Sequence, residues 1–198
     1  MKRFCEVACG VIVVSICLAA QPPATPASDD QITIKELVIT GANDLTSSQI
    51  AEAKDSVVGK SGTTENLMDT ARHSLTAALK SECYLNPDIE LFSAFRKDKP
   101  PDDVVMHATV REGLRYTLRN FRVQWAQAAS AKEIEQILPI DDMRRGDCRG
   151  LDDVPTTVQD FYQKRGYPNV NVHPLIQPNG ATRQFDLTLY IDEGSRSR

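Results

Sequence analysis

The sequence predicts an α+β fold made of two tandem modules, each with the element order strand, helix, helix, strand, strand. Residues 32–40 (ITIKELVIT) match residues 116–124 (YTLRNFRVQ) at an offset of 84, which reveals an internal repeat. At the same offset, residues 46–49 and 130–133 both fit the S/T-x-x-E/Q capping box, which marks the start of a helix.

Both copies end in the same way, and this sets their limits. An alternating strand in each copy is followed by a Glu-Gly pair, at residues 112–113 and 193–194. We therefore assign module 1 to residues 32–113 and module 2 to residues 116–194, with two residues between them. A linker this short couples the two modules instead of tethering them freely.

The elements within each module follow from hydrophobic spacing and turn residues. Helix one begins at the capping box and should stop near Gly59 in module 1 and near Pro139 in module 2. Helix two has apolar residues at i, i+4, i+7 and i+8 spacing, which predicts one buried face. Pro178-Asn-Gly180 predicts the turn of the second hairpin. The apolar positions of helix two are Leu67, Ala71, Leu75, Ala78 and Leu79, then Leu151, Val154, Val158, Phe161 and Tyr162; the hairpin strands are 89–95 and 104–110, then 170–176 and 185–191.

Strand one alternates in both copies. Leu37 and Ile39 share one face in module 1, and Phe121, Val123 and Trp125 share one face in module 2. If strand one runs up, the two helices return the chain to the top, strand two runs down and strand three runs up. Each module is therefore predicted to be a three-stranded mixed sheet of order 1-3-2 with two helices on one face. Strands one and two are then both edges.

The residues before module 1 have the pattern of an export signal and a linker. Two basic residues precede an apolar run over 7–20 that ends in small residues, as in cleaved secretory signals. At 1.5 Å per residue this run covers about 21 Å, short of a ~30 Å hydrocarbon core. Residues 1–20 are thus predicted to be a signal peptide and 21–31 a Pro/Ala/Ser linker. The alternative is an uncleaved inner-membrane anchor. Residues 195–198 form a C-terminal tail.

Composition argues against several classes of function. The net charge is −4 and no basic tract is present, which argues against nucleic acid as the partner. Aromatic residues make up only 6%, few for a platform that stacks bases or sugars. The spacing of His73, His107 and His173 suits no metal site. We assign no cofactor, no metal and no small-molecule substrate.

Three pairs of adjacent aspartates are the candidates for acid–base catalysis, at residues 102–103, 141–142 and 152–153. All three fall in predicted loops or at helix starts. The third precedes Val154-Pro155, where capping and negative charge favour a helix N-terminus. We therefore assign no catalytic residue. A small periplasmic hydrolase that uses these aspartates is the alternative from another functional class.

The most specific pattern lies at the end of helix two in module 2. Tyr162-x-x-x-Gly166-Tyr167 is followed by Val-x-Val at 170–172 and by Asp-Glu-Gly at 192–194. Together with the repeated element order, these residues resemble the polypeptide-transport-associated (POTRA) domains of outer-membrane barrel-assembly factors and two-partner secretion transporters. The resemblance covers both modules. The positions assigned to turns and caps are Gly41, Gly166, Tyr167 and Gly194.

The resemblance implies a non-enzymatic periplasmic scaffold that associates with the outer membrane through its partners. Those partners would be unfolded outer-membrane protein clients or a separate β-barrel or assembly subunit. Family members usually continue into a membrane β-barrel, so this sequence is either a stand-alone pair of modules or the front part of a split or truncated transporter. An anchored periplasmic scaffold like those of cell division is the alternative within binding proteins.

Two cysteines remain once the signal is removed, an even pair for an oxidising compartment. Cys83 stands where the pattern has Gly, at the top of module 1, and Cys148 lies at the bottom of module 2. The two-residue linker brings that top against that bottom. The sequence allows a disulfide across the junction, which would hold the angle between the modules. It equally allows two unpaired thiols, with Cys83 packed as a small hydrophobe.

Strand two of module 1 is the predicted binding edge. An edge strand presents unpaired backbone groups to which an extended segment can add. Residues 89–95 contain no Pro or Gly, and Glu90, Phe92 and Ala94 are predicted to point outward. The matching strand of module 2 carries Pro174, which removes a donor. The alternative is that both edges are simply solvated.

Overall fold

A computed structural model describes residues 31–95 and 103–197, which form two sheets, one in each repeat. The expected signal peptide and all but the last residue of the expected linker lie outside the described residues. Module 1 contains β1 (Ile32–Thr40), α1 (Ser47–Asp55), β2 (Ser61–Gly62), α2 (Thr64–Ser81), β3 (Asp88–Phe95) and β4 (Asp103–Arg111). Module 2 contains β5 (Thr117–Gln124), α3 (Ala131–Gln136), α4 (Ile140–Arg144), α5 (Val154–Gln163), β6 (Asn171–Asn179) and β7 (Gln184–Asp192).

The predicted strand order is confirmed in both sheets. In module 1 the order is β2-β1-β4-β3, with β4 parallel to β1 and antiparallel to β3. In module 2 the order is β5-β7-β6, with the same pairing directions. One strand was not predicted: β2 pairs antiparallel with the start of β1. The expectation that strand one is a fully open edge is therefore wrong for module 1, because Ser61 and Gly62 cover its first residues.

Strand one contains a β-bulge in both modules, which was not predicted; Leu37 and Ile39, which follow the bulge in module 1, share one face as expected, since both pack against the module 1 core. The pairing register shifts at Lys35 in β1 and at Arg119 in β5, residues that correspond in the repeat. The extra residue turns a basic side chain onto the neighbouring strand, where Lys35 pairs with Asp103 at 3.4 Å and Arg119 pairs with Asp186 at 2.8 Å. The bulge and its ion pair are thus a repeated feature of the module.

Each module has its own hydrophobic core between its sheet and its helices. In α2 the predicted stripe is buried except Ala78, which is partly buried. In module 2, Leu151 is buried just before α5 begins, and Phe161 is partly buried. The largest fully buried side chains are Ile34, Leu37, Leu75, Leu79 and Met106 in module 1 and Ile134, Ile140, Met143, Tyr162, Phe185, Leu187 and Leu189 in module 2.

The capping boxes form at both predicted helix starts. Thr46 accepts from the N–H of Gln49 at the start of α1, and Ser130 accepts from the N–H of Glu133 at the start of α3, with the reciprocal side-chain bonds also present. At the start of α5, by contrast, Asp153 makes no side-chain capping bond. The expected capping role of that aspartate pair is therefore wrong, although Pro155 does stand in the first turn.

Several boundaries differ from expectation. Helix α1 ends at Asp55 and α3 ends at Gln136, a few residues before the Gly and Pro that were expected to stop them. A further helix, α4, follows α3 and was not predicted. Strand β6 runs through Pro178 to Asn179, so the turn lies at 180–183, where the Asn179 side chain accepts from the N–H of Ala181 at 3.0 Å.

Trp125 was expected to share a strand face with Phe121 and Val123, and in the structure it does not. Strand β5 ends one residue earlier, at Gln124, and Trp125 has a φ of 67°. Phe121 and Val123 are partly buried against the core, whereas Trp125 is 68% exposed. The left-handed backbone at this position places the indole at the surface, beside the ring of Tyr190 in β7.

Candidate functional site

Strand β3 lies at the edge of the module 1 sheet. Within the described residues it pairs with β4 alone, in an uninterrupted antiparallel register from Asp88–Arg111 to Phe95–Val104. Backbone N–H and C=O groups of successive strand residues point alternately to the two sides. Half of the eight residues of β3 therefore direct these groups away from β4.

The two faces of β3 differ in character. Ile89 and Leu91 are partly buried and pack toward the module 1 core. Glu90, Phe92 and Ala94 are exposed on the opposite face. The sequence-based assignment of those three residues to one outward face thus describes where they lie, while a binding role for them stays a prediction.

Phe92 is the central apolar group of this outer face. Its ring is stacked on that of His107 from β4, with ring centroids 4.7 Å apart and an angle of 5° between the planes. The side chain is nevertheless 52% exposed, and Phe95 at the end of the strand is 66% exposed. An exposed aromatic ring held flat against its neighbour offers apolar contact area with little conformational entropy to lose.

The acidic residues of β3 are balanced by one arginine. The Arg111 guanidinium lies 2.7 Å from carboxylate oxygens of both Asp88 and Glu90. The hydrogen bonds that Arg111 donates to these two carboxylates raise the pKa of its exposed guanidinium. Ion pairs this exposed add little stability, but they reduce the charge that an approaching chain meets beside the open edge.

The corresponding edge of module 2 is a poorer template. Strand β6 carries Pro174 and Pro178, and neither residue has a backbone N–H to donate. Its most exposed large apolar side chain is Leu175. Strand β3 contains no proline, so the two edges differ in the property on which strand addition depends.

The junction between the modules is a second place where separated residues meet. Cys83 and Cys148, 65 residues apart in sequence, form a disulfide with their Cα atoms 5.1 Å apart. Both are buried, and Cys83, although it belongs to module 1, packs within the core of module 2. Its φ of 63° is left-handed, as is that of Gly166 at the matching position.

Backbone bonds flank the disulfide. The N–H of Cys148 donates to the carbonyl of Ser81 at 2.9 Å, and the N–H of Tyr116 donates to the carbonyl of Cys83 at 3.0 Å. Both bonds thus run from backbone N–H groups of module 2 to backbone carbonyl groups of module 1, at and just after the end of α2. The disulfide and these bonds together connect the two cores.

Arg115 in the linker adds a side-chain bridge. Its guanidinium donates to the carbonyl of Gly146 in module 2 at 2.9 Å and lies 3.3 Å from the carboxylate of Glu82 in module 1. No pattern in the sequence singled out this arginine, since its role depends on groups from two separate segments.

The repeated Glu-Gly pair has a role that sequence reasoning missed. Glu112 accepts from the N–H of Asp44 at 2.8 Å, and Glu193 accepts from the N–H groups of Gln127 and Ala128 at 2.7 and 2.8 Å. Asp44 and Ala128 correspond in the repeat. Each glutamate therefore holds the loop between strand one and helix one, and the repeat of the Glu-Gly pair at an offset of 81 was the signal that could have found it.

The turn and cap glycines lie where the backbone needs them. Gly41 has a φ of 83°, and a Cβ there would clash with the carbonyl oxygen of Val110. Gly166 and Gly194 also have positive φ values, at the end of α5 and after β7. Tyr167 packs edge-on against the ring of Tyr162, with centroids 5.9 Å apart.

The aspartate pairs do not come together. Among the described members, Asp103 contacts Lys35, Asp141 contacts Arg144 and Asp142 contacts Arg145. Asp102 lies outside the described residues. Over 31–95 and 103–197, no group of three or more His, Cys, Asp or Glu residues is placed to hold a metal ion. Within the same ranges, no helix has the length and apolar character needed to cross a membrane.

Comparison with known proteins supports the fold. No family model matches the sequence, and no curated protein matches it. Solved structures do match: POTRA domains 3–5 of BamA from Haemophilus influenzae superpose with a TM-score of 0.59 and 20% identity, over 84% of this chain and 68% of that chain.

A second match is BamA from Haemophilus ducreyi lacking POTRA domains 1–3. Its TM-score is 0.58 at 13% identity, over 82% of this chain and 29% of that chain. This chain therefore spans less than a third of that protein's length. At these identities the likeness establishes the fold: both modules have the POTRA architecture, as the sequence pattern predicted.

Proposed function

We propose that this pair of POTRA-fold modules is a non-enzymatic periplasmic scaffold in outer-membrane protein assembly or export, and that it binds extended polypeptide segments by strand addition to β3. The observation that carries the proposal is the proline-free edge of β3, which among residues 31–95 and 103–197 pairs only with β4, in a sheet whose other edge is partly covered by β2. Its partners would be unfolded outer-membrane clients or a separate barrel or assembly subunit.

The energetics of strand addition suit a scaffold that handles many different clients. Each main-chain hydrogen bond contributes about 1 kcal/mol net, while ordering each residue of a flexible segment costs about 1–2 kcal/mol. Over an edge eight residues long, about eight new hydrogen bonds contribute roughly 8 kcal/mol against an ordering cost of roughly 8–16 kcal/mol, so backbone pairing alone does not give net binding. Binding is therefore expected to be weak and to depend on backbone pairing, with side-chain contacts to Phe92 and Phe95 supplying the remainder.

Photo-crosslinking from β3 tests where an extended peptide binds. A photoreactive phenylalanine analogue is placed at Phe92, and the full chain is mixed with a ten-residue peptide of alternating apolar and polar residues. Matched controls carry the analogue at Leu175 on the edge strand of module 2 and at Thr70 on the exposed face of α2. Labelling should be at least fivefold stronger from Phe92. Equal labelling from all three positions would remove the basis for a binding edge at β3.

A second set of peptides tests the hydrogen-bonding mode. N-methylation of every second amide blocks one edge of the peptide and leaves the other free to pair. Such a peptide should still compete for crosslinking at Phe92. A peptide with all amides N-methylated should lose competition at least tenfold. Full competition by the fully methylated peptide would show that side chains rather than the backbone are recognised.

A further inference from the structure

The upper end of module 2, formed by residues 164–169 and 194–197, repeats the arrangement that module 1 uses to hold module 2. At the junction, the N–H of Tyr116 donates to the carbonyl of Cys83. At the upper end of module 2, the N–H of Ser197 donates to the carbonyl of Gly166 at 2.8 Å. Cys83 corresponds to Gly166, so the tail follows the path that the linker takes.

The glycines before these bonds also match. Gly113 in the linker and Gly194 in the tail both have positive φ, 81° and 62°. A Cβ at Gly113 would lie 3.2 Å from the carbonyl oxygen of Asn86, and a Cβ at Gly194 would lie 3.1 Å from that of Asn169. The tail is therefore held in the linker's conformation by the same kind of contact.

We propose that the upper end of module 2 is a docking site for the lower end of a further folded protein unit, and that this unit presents an acidic side chain. The proposal rests on continuity with the established junction and does not depend on peptide binding at β3. At the junction, the loop at 145–150 of module 2 is the lower end that contacts module 1.

The charge of the partner follows from one difference between the two ends. At the junction Glu82 pairs with Arg115 and accepts a hydrogen bond from the Gln49 side chain at 3.1 Å, and Arg149 of the lower loop lines one cavity with Gln49 and Ser81. Asp147, and to a smaller extent Glu82, raise the pKa of Arg149. At the upper end of module 2, Arg165 stands at the position of Glu82. A docking loop should therefore carry an acidic residue where this chain has Arg149.

The groups around this end are basic and aromatic. A cavity of about 620 Å³ is lined by Lys164, Arg165, Tyr167 and Arg196, together with Ala128 and Glu133. Glu133 is engaged by Arg165, while Arg196, the counterpart of Arg115, lies over the ring of Tyr167 at 6.0 Å. The surface thus offers cationic groups beside an aromatic ring, which suits an acidic protein loop.

Trp125 extends this surface with apolar area. It lies beside Gly194 and Glu193, with its ring centroid 4.9 Å from that of Tyr190. Its position in the repeat is that of Gly41, so a glycine would satisfy the left-handed backbone there. An exposed tryptophan with a left-handed backbone, where the other copy of the module has glycine, is the kind of residue that anchors protein interfaces.

A duplicated module tests the docking site directly. The full chain is extended after Ser197 by a second copy of residues 117–197, and G166C is introduced so that it can bond with the appended copy of Cys148. Non-reducing peptide mapping should find this disulfide in a measurable minority of the molecules, because Arg165 then faces Arg149 of the appended copy. N169C, at the same end of module 2, is the matched control and should form no such bond. Equal bonding from both positions would overturn the proposal.

The inference that the docking loop carries an acidic residue is tested in the same extended chain. R149E in the appended copy should raise the yield of the G166C disulfide several-fold, because the new carboxylate faces Arg165. Unchanged or lower yield would overturn the acidic-partner inference. The same substitution in the original loop should weaken the native junction, since Glu82 would then face a second carboxylate.

Two measurements on the unextended chain keep the test decisive if the appended copy does not fold. The amide of Ser197 should exchange at least tenfold more slowly than in an unstructured peptide; no protection would overturn the proposal, because the tail would not hold the linker path. Flotation with phosphatidylglycerol vesicles should show no binding that R165E and R196E abolish. Such binding would assign this end to an anionic lipid surface and overturn the protein partner.

Discussion

Breaking the Cys83–Cys148 disulfide should reduce the stability of the chain more than any surface substitution. In the chain-entropy model, the stabilisation by a crosslink depends on the number of residues it encloses. For a separation of 65 residues, the model gives about 4 kcal/mol at 25 °C. C148A should therefore lower the free energy of unfolding by up to about 4 kcal/mol.

The left-handed backbone at position 83 makes the choice of replacement informative. A non-glycine residue in this conformation costs about 1–2 kcal/mol, and the matching residue of module 2 is Gly166. In the absence of the bond, glycine should therefore be preferred at position 83. We expect C83G/C148A to be more stable than C83A/C148A by about 1 kcal/mol.

Urea denaturation with and without a thiol reductant measures both effects. The wild-type chain should lose stability on reduction, and the two double variants should be insensitive to the reductant. An unchanged wild-type unfolding midpoint after reduction would show that the disulfide does not stabilise the chain. Equal stability of the alanine and glycine double variants would show that position 83 carries no backbone cost.

Three further effects follow from local geometry and titration. G41A should cost at least twice as much stability as G59A in thermal unfolding, because both positions have positive φ but only at Gly41 would a Cβ meet the backbone carbonyl of Val110. The pKa of Glu133 is lowered to about 2, chiefly by the hydrogen bond from the Ser130 backbone N–H. The ionised carboxylate therefore stabilises the folded chain above about pH 4.5, and this stabilisation is lost as the pH falls toward 2. The stability of E133Q should accordingly depend less on pH over that range than the stability of the wild type. The pKa of Tyr84 is raised to about 12 by burial and by its hydrogen bond to the Asp44 carboxylate. The protonated phenol therefore stabilises the folded chain below about pH 10, and this stabilisation is lost as the pH rises toward 12. Y84F should accordingly lose less stability between pH 9 and 11 than the wild type.

Much of the fold could be predicted because the sequence contains two copies of the module, which can be compared with each other. The capping boxes at Thr46 and Ser130 set the helix starts, and both form as expected. The order of the strands follows from the direction in which each successive strand and helix runs, and the sequence of elements along the chain determines those directions. Comparing the copies position by position was also enough to flag Cys83 as a residue standing where its counterpart is Gly.

The features that escaped prediction depend on contacts between distant segments. A bulge at Lys35 cannot be told from an ordinary strand residue until Asp103 is placed beside it. Strand β2 consists of Ser61 and Gly62, two residues with no strand propensity of their own, which pair because they lie next to β1. The left-handed backbone of Trp125 contradicts local preference, and only its alignment with Gly41 could have indicated it.

The same distinction applies to the candidate site. The face on which Glu90, Phe92 and Ala94 lie follows from strand alternation, and the absence of proline from β3 is visible in the sequence. The stacking of Phe92 on His107 and the neutralisation of the acidic residues of β3 by Arg111 can be known only once the register between β3 and β4 is known. Those cross-strand pairs set the charge and apolar character of the edge.

Amide hydrogen exchange of the full chain, recorded by NMR with and without a saturating alternating peptide, tests whether β3 binds extended polypeptide through its free backbone groups. Alternate amides between Asp88 and Phe95 should become protected on peptide binding, while those of β6 should not change. Protection confined to β6 or to the helices, with β3 exchanging as in the free protein, would contradict binding at β3.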